Sequence, residues 1–514
     1  MADTIGDTQY YLILFFLWAF LSLLLHYLLK KPIKPSLHLP PSPPALPLIG
    51  HLHLLRPMAF KCLHNISSKH GPFLCLRLGS RPVLVVSSAT FAAEIFKTHD
   101  INFSAKPKTP LGDKLLFGNF GFFNAPYGDY WKFMKKLCMT ELLGARQVER
   151  DCAARREELR RFLSKLVERA CKNENVDLGN ELMRLTNNTI CRMVMSTRCS
   201  GEDDEARKCR ELVEESVDLA GKLGVASMLG PLKKLGFWVF RKQLKDILRD
   251  FDELLEKILK EHEEKAKRDG DDHEGEDKDL MDILLKVYQD ENAEFKISRN
   301  HMKAFFLDLF FAGTDTSANT MQWIMAELIN HPKVFSKLRE EIESVVGTNR
   351  LVEESDIPNL HYLQAVVKET MRLHPLVPAI PRECREDCKI EGYDIPKETV
   401  VWINVYSIMR DPKLWNNPNE FCPERFLQEH ENQKEIKRQN FSFLPFGGGR
   451  RMCPGSHLAF SLINITIASM IQCFDWKAVG DGGKVNMEAK SGFSLCLAHP
   501  LLCFPVIHYH PFAA

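Results

Sequence analysis

The sequence predicts a mainly α-helical protein with small β-sheets, preceded by one N-terminal transmembrane helix. Three observations predict it. Residues Tyr10–Leu29 read YYLILFFLWAFLSLLLHYLL, without a formal charge. Most segments beyond residue 50 carry apolar residues at helical spacing. The β-rich runs are few and short, near Leu74–Val86, Cys388–Tyr393 and Thr399–Val405. No repeat and no second boundary follows residue 50, so residues 51–514 are expected to fold as one large unit.

The N-terminal run is long enough to cross a bilayer, because twenty helical residues rise about 30 Å. A cleaved signal peptide is the alternative. The length of the run, the lack of a small-x-small site, and the placement of Lys30, Lys31 and Lys34 after it oppose that alternative. Asp3 and Asp7 precede the run. The positive-inside rule then puts residues 1–9 in the lumen of the endoplasmic reticulum and the large domain in the cytosol. Residues 30–50 form a basic, proline-rich hinge. Its stretch LPPSPPALPLIG, Leu39–Gly50, is stiff because proline fixes φ. On this topology the acceptor sequences at Asn65, Asn187 and Asn464 go unused.

Lys+Arg number 68 against Asp+Glu 67, a balance that argues against a nucleic-acid partner. Fifteen Cys are scattered with no C-x-x-C pair, which opposes a zinc ribbon; they are expected to be reduced and buried. Glu157–Arg169 is amphipathic, with Leu159, Phe162, Leu163, Leu166 and Val167 on one face, and Phe251–Lys267 is amphipathic too. Glu261–Asp279 is nearly all charged and is expected to be a solvated surface loop that forms no site. His301–Asn330 is a long helix stopping before Pro332, and a helix is expected from Leu458 onward.

Two stretches carry the chemistry. Phe446-Gly-Gly-Gly-Arg-Arg-Met-Cys-Pro-Gly455 would curl the backbone around the Cys453 sulfur, using the freedom of Gly447, Gly448, Gly449 and Gly455. The following helix would lend its positive N-terminus to a thiolate. Taken alone, a cysteine is more often a plain core thiol. In Ala312-Gly-Thr-Asp-Thr-Ser317, a mid-helix glycine costs about 1 kcal/mol against alanine. Close approach of a flat ring or of dioxygen is one reason to keep it. Asp315 and Thr316 offer an acid and an alcohol side by side for proton transfer; the plainer reading is a helix in which Thr316 bonds back to a carbonyl. Glu369 and Arg372 stand three apart on one helix face, which in isolation is a common surface ion pair.

The string Phe-x-x-Gly-x-Arg-x-Cys-x-Gly, at Phe446, Gly449, Arg451, Cys453 and Gly455, resembles the cytochrome P-450 signature. Residues 312–317 resemble that superfamily's oxygen-activation motif. Glu369-Thr-Met-Arg372 with Pro423-Glu-Arg-Phe426 resembles its Glu-x-x-Arg network. Trp131 and Lys135 are similar to its Trp-x-x-x-Arg, with Lys in place of Arg and the bidentate fork lost. Further stretches (50–55, 125–143, 351–356 and 471–476) resemble a plant clan that includes flavonoid, isoflavonoid, pterocarpan and pentacyclic triterpene oxidases.

The resemblance implies a cytochrome P-450 fold around haem b (iron protoporphyrin), with Cys453 as axial ligand of the iron. Phe446 would shield the sulfur, Gly449 and Gly455 would shape the loop, and Arg451, Lys135 and Arg382 would pair with propionates beside Trp131. Asp315 and Thr316 would handle protons. Glu369, Arg372 and Arg425 would form a structural network. Electrons would come from NADPH through the flavins of a separate membrane-bound reductase, docked near Lys132, Lys135, Lys136 and Arg450. The reaction would insert oxygen from O2 into a C–H bond of a small lipophilic substrate. Candidate pocket segments are Phe103–Phe123, Leu219–Phe240, Phe305–Ala312, Leu376–Ile380 and Phe493–Leu497. Being mainly apolar, they favour a pentacyclic triterpenoid, with hydroxylation and onward oxidation to the acid both open, over a flavonoid or pterocarpan. A haem-thiolate isomerase or dehydratase, and a non-catalytic haem sensor or membrane scaffold, are the rival classes.

Overall fold

Apolar residues at helical spacing fold into a stack of helices around one buried central helix. The computed structural model describes residues 2–28, 37–47, 49–79, 81–107, 120–196, 212–213, 215–216, 219, 221–224, 233–269, 279–427, 441–490, 494–510 and 512. The longer helices are α1 (Ala2–Leu28), α2 (Ala59–His70), α3 (Asp129–Cys138), α4 (Cys152–Cys171), α5 (Leu178–Met195), α6 (Lys233–Asp269), α7 (Leu280–Gln289), α8 (Arg299–Asn330), α9 (Pro332–Val346), α10 (His361–Leu373) and α11 (Ser456–Cys473).

Local chemistry fixes the ends of α8. Ser298 caps its first turn, accepting from the backbone N of His301, while His301 Nδ1 accepts from the backbone N of Ser298. Pro332 opens the next helix and so closes this one. Between those ends α8 is buried from Met302 to Leu328 with few interruptions. Its C-terminal half packs with α4, α5, α9, α10 and α11 in the main core, through Met321, Ile324, Met325 and Leu328. The face expected on α4 is there: Leu159, Phe162, Leu163 and Leu166 are buried and Val167 packs against them.

The short β runs build three small sheets. One has the order β1 (Phe73–Leu78), β2 (Arg81–Val86), β7 (Val400–Ile403), β4 (Ile380–Glu383), with Val83 opposite Val400 and Arg382 opposite Val401. A second joins β3 (Val176–Asp177), β9 (Leu502–Ile507) and β8 (Phe474–Ala478), and a third pairs β5 (Cys388–Ile390) with β6 (Tyr393–Ile395). The first sheet matters for function because β4 carries Arg382 into the interior.

Along α1, apolar side chains face outward, with Phe16 66% and Trp18 62% exposed. The described helix whose length and apolarity would suit a bilayer span is α11, and it is mostly buried in the core. Two expectations are corrected here. Glu261–Asp269 is not a loop: α6 runs through Asp269, because its inner face (Phe251, Leu255, Leu259) continues to His262, which is buried. Residues 270–278 lie outside the described residues. The described cysteines are all free, as expected, yet Cys171 and Cys453 are exposed.

Candidate active site

The loop before α11 closes tightly on itself. The backbone N–H of Cys453 donates to the Phe446 carbonyl at 3.0 Å, and that of Met452 donates to Gly449 at 3.0 Å. Gly449 has φ +68°, and a Cβ there would lie 2.3 Å from Asp100 Oδ1. Only glycine fits. Phe446 turns its ring against Phe460 of α11, with centroids 5.1 Å apart. The N–H of Gly455 faces the Cys453 sulfur and eases a negative charge there, against a burial that pushes the thiol up. Yet Cys453 keeps accessible surface. Accessible surface without bulk solvation means that the sulfur opens into a hollow inside the fold.

The central helix shows a matching hollow. On α8 the burial is interrupted at Leu309, Phe311, Ala312, Gly313, Asp315 and Thr316, with Ala312 the most exposed and Leu309, Ala312 and Thr316 among them at helical spacing. The Thr316 hydroxyl donates to the Ala312 carbonyl at 2.6 Å, and Asp315 Oδ1 accepts from Asn319 Nδ2 at 2.7 Å. One reading of this stretch is corrected. Gly313 does not leave room for a ring or for dioxygen: a Cβ on it would lie 2.6 Å from the Ile190 side chain, so it serves the close crossing of α8 and α5.

Three cations gather near the sulfur. Arg382 is buried over the Phe96 ring, its guanidinium donating to the Pro381 carbonyl at 3.0 Å. Arg451 lies over Trp131 and donates to the carbonyls of Ser104 (2.8 Å) and Ala125 (2.6 Å). Burial lowers both guanidiniums to about 10. Lys106 lies over the Phe123 ring; burial, then the like charges of Arg382 and Arg451, hold its ammonium well below the usual lysine range. Lys106 was not among the expected residues. Nor was Asp308, which is buried on α8, accepts the Phe123 N–H at 2.8 Å, and is pushed by burial up to about 7. A lone acid inside AFFLDLFFAG was the available signal for Asp308; Lys106 left no comparable one.

Lys135 turns elsewhere, donating to the Arg450 carbonyl at 2.8 Å, while its ammonium stays 5.1 Å from the Trp131 ring. Glu369, Arg372 and Arg425 do come together. Glu369 receives two bonds from Arg372 (2.7 and 2.8 Å) and one from Arg425 (2.9 Å), all fully paired in the core. Of the expected pocket segments, residues 108–119, 220, 225–232 and 493 lie outside the described residues.

The family model described as Cytochrome P450 matches residues 40–504. The chain belongs to the cytochrome P450 family. It is 47% identical to Cytochrome P450 705A22 of Arabidopsis thaliana over 97% of this chain and 96% of that one. It is 45% identical to 3,9-dihydroxypterocarpan 6A-monooxygenase of Glycine max over 92% and 94% respectively. A solved zebrafish cytochrome P450 with progesterone superposes with a TM-score of 0.74 at 27% identity, over 87% of this chain and 99% of that one. The chain is therefore an oxygen-incorporating oxidoreductase, and the family implies haem iron. The pterocarpan relative sits with the second of the two substrate expectations, and no reported relative is named for a triterpenoid.

The residues of this P450 fit such a group. Haem brings an iron that takes a thiolate and two propionates that take cations. The hollow offers one sulfur and, among the described residues, three enclosed cations held chiefly by carbonyls and rings. Two carboxylates among Lys106, Arg382 and Arg451 would restore the charge balance that the protein alone does not supply.

Proposed function

We propose that this P450 hydroxylates a lipophilic, polycyclic plant specialised metabolite, using electrons from NADPH passed through a separate flavoprotein reductase. The observation that carries the reading is the accessible sulfur of Cys453, with Lys106 in electrostatic reach of it, of Arg382 and Arg451, and of Asp308 on α8. When bound, haem iron supplies the activation of dioxygen that puts one oxygen atom into a C–H bond and releases the other as water. Cys453 ligates it as a thiolate, eased by the Gly455 N–H. Gly449 shapes the loop and Phe446 shields the sulfur's side. Lys106, Arg382 and Arg451 hold the propionates, with Trp131 as an aromatic wall and Lys135 at the edge. Thr316 holds a proton at its hydroxyl, now lent to the Ala312 carbonyl, and Asp315 passes protons to it from the Asn319 side. Asp308 fixes the backbone at Phe123 over the hollow and so shapes the substrate's space. Glu369, Arg372 and Arg425 carry no chemistry; they lock the core on the cysteine side.

Two substrate readings have separate support. The 45% identity to an enzyme named for 3,9-dihydroxypterocarpan supports a fused-ring phenolic of pterocarpan or flavonoid type. The apolar stripe Leu309 and Ala312, with the exposed Phe123, supports a pentacyclic triterpenoid. Yeast microsomes containing the protein and a plant reductase, fed each class separately, decide between them. Oxidation of neither class would overturn the substrate proposal. A Cys453→Ala variant that kept NADPH-dependent turnover would overturn the chemistry.

The outward apolar face of α1 supports a single-pass anchor in the endoplasmic reticulum with the domain in the cytosol. The reductase then docks where Lys132, Lys135, Lys136 and Arg450 crowd the cysteine side; its acids would displace Asp129, Glu294 and Asp100 from Lys132, Lys136 and Arg450. Of the three acceptor sequences, Asn187 and Asn464 are buried and would stay bare on either side of the membrane. Asn65 is exposed and alone tests orientation. Glycan on Asn65 in microsomes would reverse the topology.

A further inference from the structure

Where the C-terminal half of α6 meets the start of α7, three ligand atoms converge. His262 Nδ1, Asp279 and Asp282 each offer one atom, and all three atoms lie within 4.8 Å of one another. Their convergence is forced by the start of α7. Asp279 Oδ1 accepts the Asp282 N–H at 3.0 Å, and Asp282 Oδ2 accepts the Asp279 N–H at 3.4 Å. This reciprocal cap uses one oxygen of each carboxylate and turns the other oxygens toward α6. There Asp282 Oδ1 stands 3.2 Å from His262 Nδ1, and Asp279 Oδ2 stands 3.9 Å from it.

One of these atoms lacks a partner. Asp279 Oδ2 is buried and receives no hydrogen bond, in a side chain only 3% exposed. The Ser196 hydroxyl comes near enough to ease the charge, but burial still pushes the Asp279 carboxyl up. A buried carboxylate oxygen left without a hydrogen bond is destabilising. The separations suit another partner. Ligands about 2.0–2.1 Å from a tetrahedral zinc stand about 3.3 Å apart, and the observed 3.2 and 3.9 Å require only small movement. Asp282, 20% exposed, gives an entry path from solvent.

We infer that His262, Asp279 and Asp282 form a structural binding site for a divalent cation of the zinc type, clamping the C-terminal half of α6 to the first turn of α7. One imidazole and two carboxylates favour a transition ion over calcium or magnesium, which prefer oxygen alone in higher number. Water completes the coordination. The site lies apart from Cys453, so it stabilises the fold and takes no part in oxidation.

The test uses the full chain with haem bound, purified in detergent, stripped with a chelator, loaded with zinc sulfate and dialysed. Elemental analysis at pH 7.5 is expected to give one zinc per haem above that of Asp279→Asn and His262→Gln. Zinc is expected to raise the thermal midpoint of the unmodified protein only, and each variant to bind it about tenfold or more weakly, since even outer partners of a metal site cost that much. The variants' carbon monoxide difference spectra report whether they fold. Equal zinc in the unmodified protein and in a folded variant would place the metal on other side chains and overturn the inference. So would an unmodified chain that binds no excess zinc at micromolar concentration.

Discussion

Two clusters of buried and half-buried cations are built on opposite principles. Around Glu369, both guanidiniums find their counter-charge inside the protein: the carboxylate takes Arg372 and Arg425, and the carbonyls of Met409, Pro418 and Asn416 take the remaining N–H groups. Around Arg382, Arg451 and Lys106, the partners are carbonyls and aromatic faces, and burial lowers all three groups. The first cluster is complete without a ligand. The second becomes complete only when something negative enters. Removing one partner of a buried ion pair costs about 3–5 kcal/mol because it strands the other charge; on the proposed function, the second cluster is the one that awaits the propionates of haem.

The sharpest way to break this contrast is to remove the shared acid. Glu369→Ala leaves two guanidiniums without counter-charge at a site with no solvent access. The expected loss is about 3–5 kcal/mol, enough to abolish the carbon monoxide difference spectrum in expressing cells. A stable, haem-loaded variant would show that the network is dispensable. The second cluster should respond with the opposite sign. Lys106→Met or Arg382→Met removes a charge that Asp308 or Asp100 eases only in part against burial, so the haem-free protein should unfold at higher urea, by about 1 kcal/mol. The same variants should lose haem about tenfold faster to a competing apoprotein, through a lost charge-assisted bond. A variant that destabilised both forms alike would place its residue with the structural network.

The two clusters also differed in how far the sequence revealed them. Glu369, Arg372 and Arg425 stand in two short motifs, and local spacing on α10 already sets the first pair face to face. Cys453 was legible because Gly449 and Gly455 record the tight backbone around it. Lys106 was not, because its position depends on the loop near Phe103 folding under α8, a contact that no local pattern encodes. Gly313 was misread for the same reason: what crowds it is Ile190, 123 positions earlier in the chain. His262 was lost inside a charged run, where composition outvoted the apolar face that carries α6 onward. Local periodicity placed α8 well, beginning at Arg299 where His301 was expected, but α6 begins at Lys233 where Phe251 was expected, and β4, β8 and β9 were not read.

A smaller effect separates the clusters by pH. Burial lowers Lys106 in the folded chain, so its unfolded form binds more protons. The associated stability is fully present above the ordinary lysine value of about 10.4 and is lost as pH falls through the lower folded value. The haem-free protein should therefore gain stability as pH rises from the lowered folded value of Lys106 towards about 10.4. Asp308, at about 7, has ionised by the middle of that range, and Arg382 and Arg451, at about 10, contribute only at its top. Propionates would hold Lys106 in its charged form, so the slope should flatten when haem is bound. Urea midpoints at several pH values, with and without haem, measure it; a slope that persisted in Lys106→Met would assign it to other groups.

The smallest expected change decides which cluster Lys135 belongs to. Its ammonium donates to the Arg450 carbonyl, one residue from Arg451, and burial together with the Arg451 charge lowers it. That leaves it at the rim of the second cluster, with a point charge where a fork would reach farther. Lys135→Arg supplies a planar guanidinium that can keep the carbonyl bond and extend a second N–H inward over Trp131. Haem loss should slow by about threefold, or ~0.6 kcal/mol, with the haem-free urea midpoint unchanged. If the midpoint moved and haem loss did not, Lys135 would serve the loop around Arg450, and the recognition cluster would end at Lys106, Arg382 and Arg451.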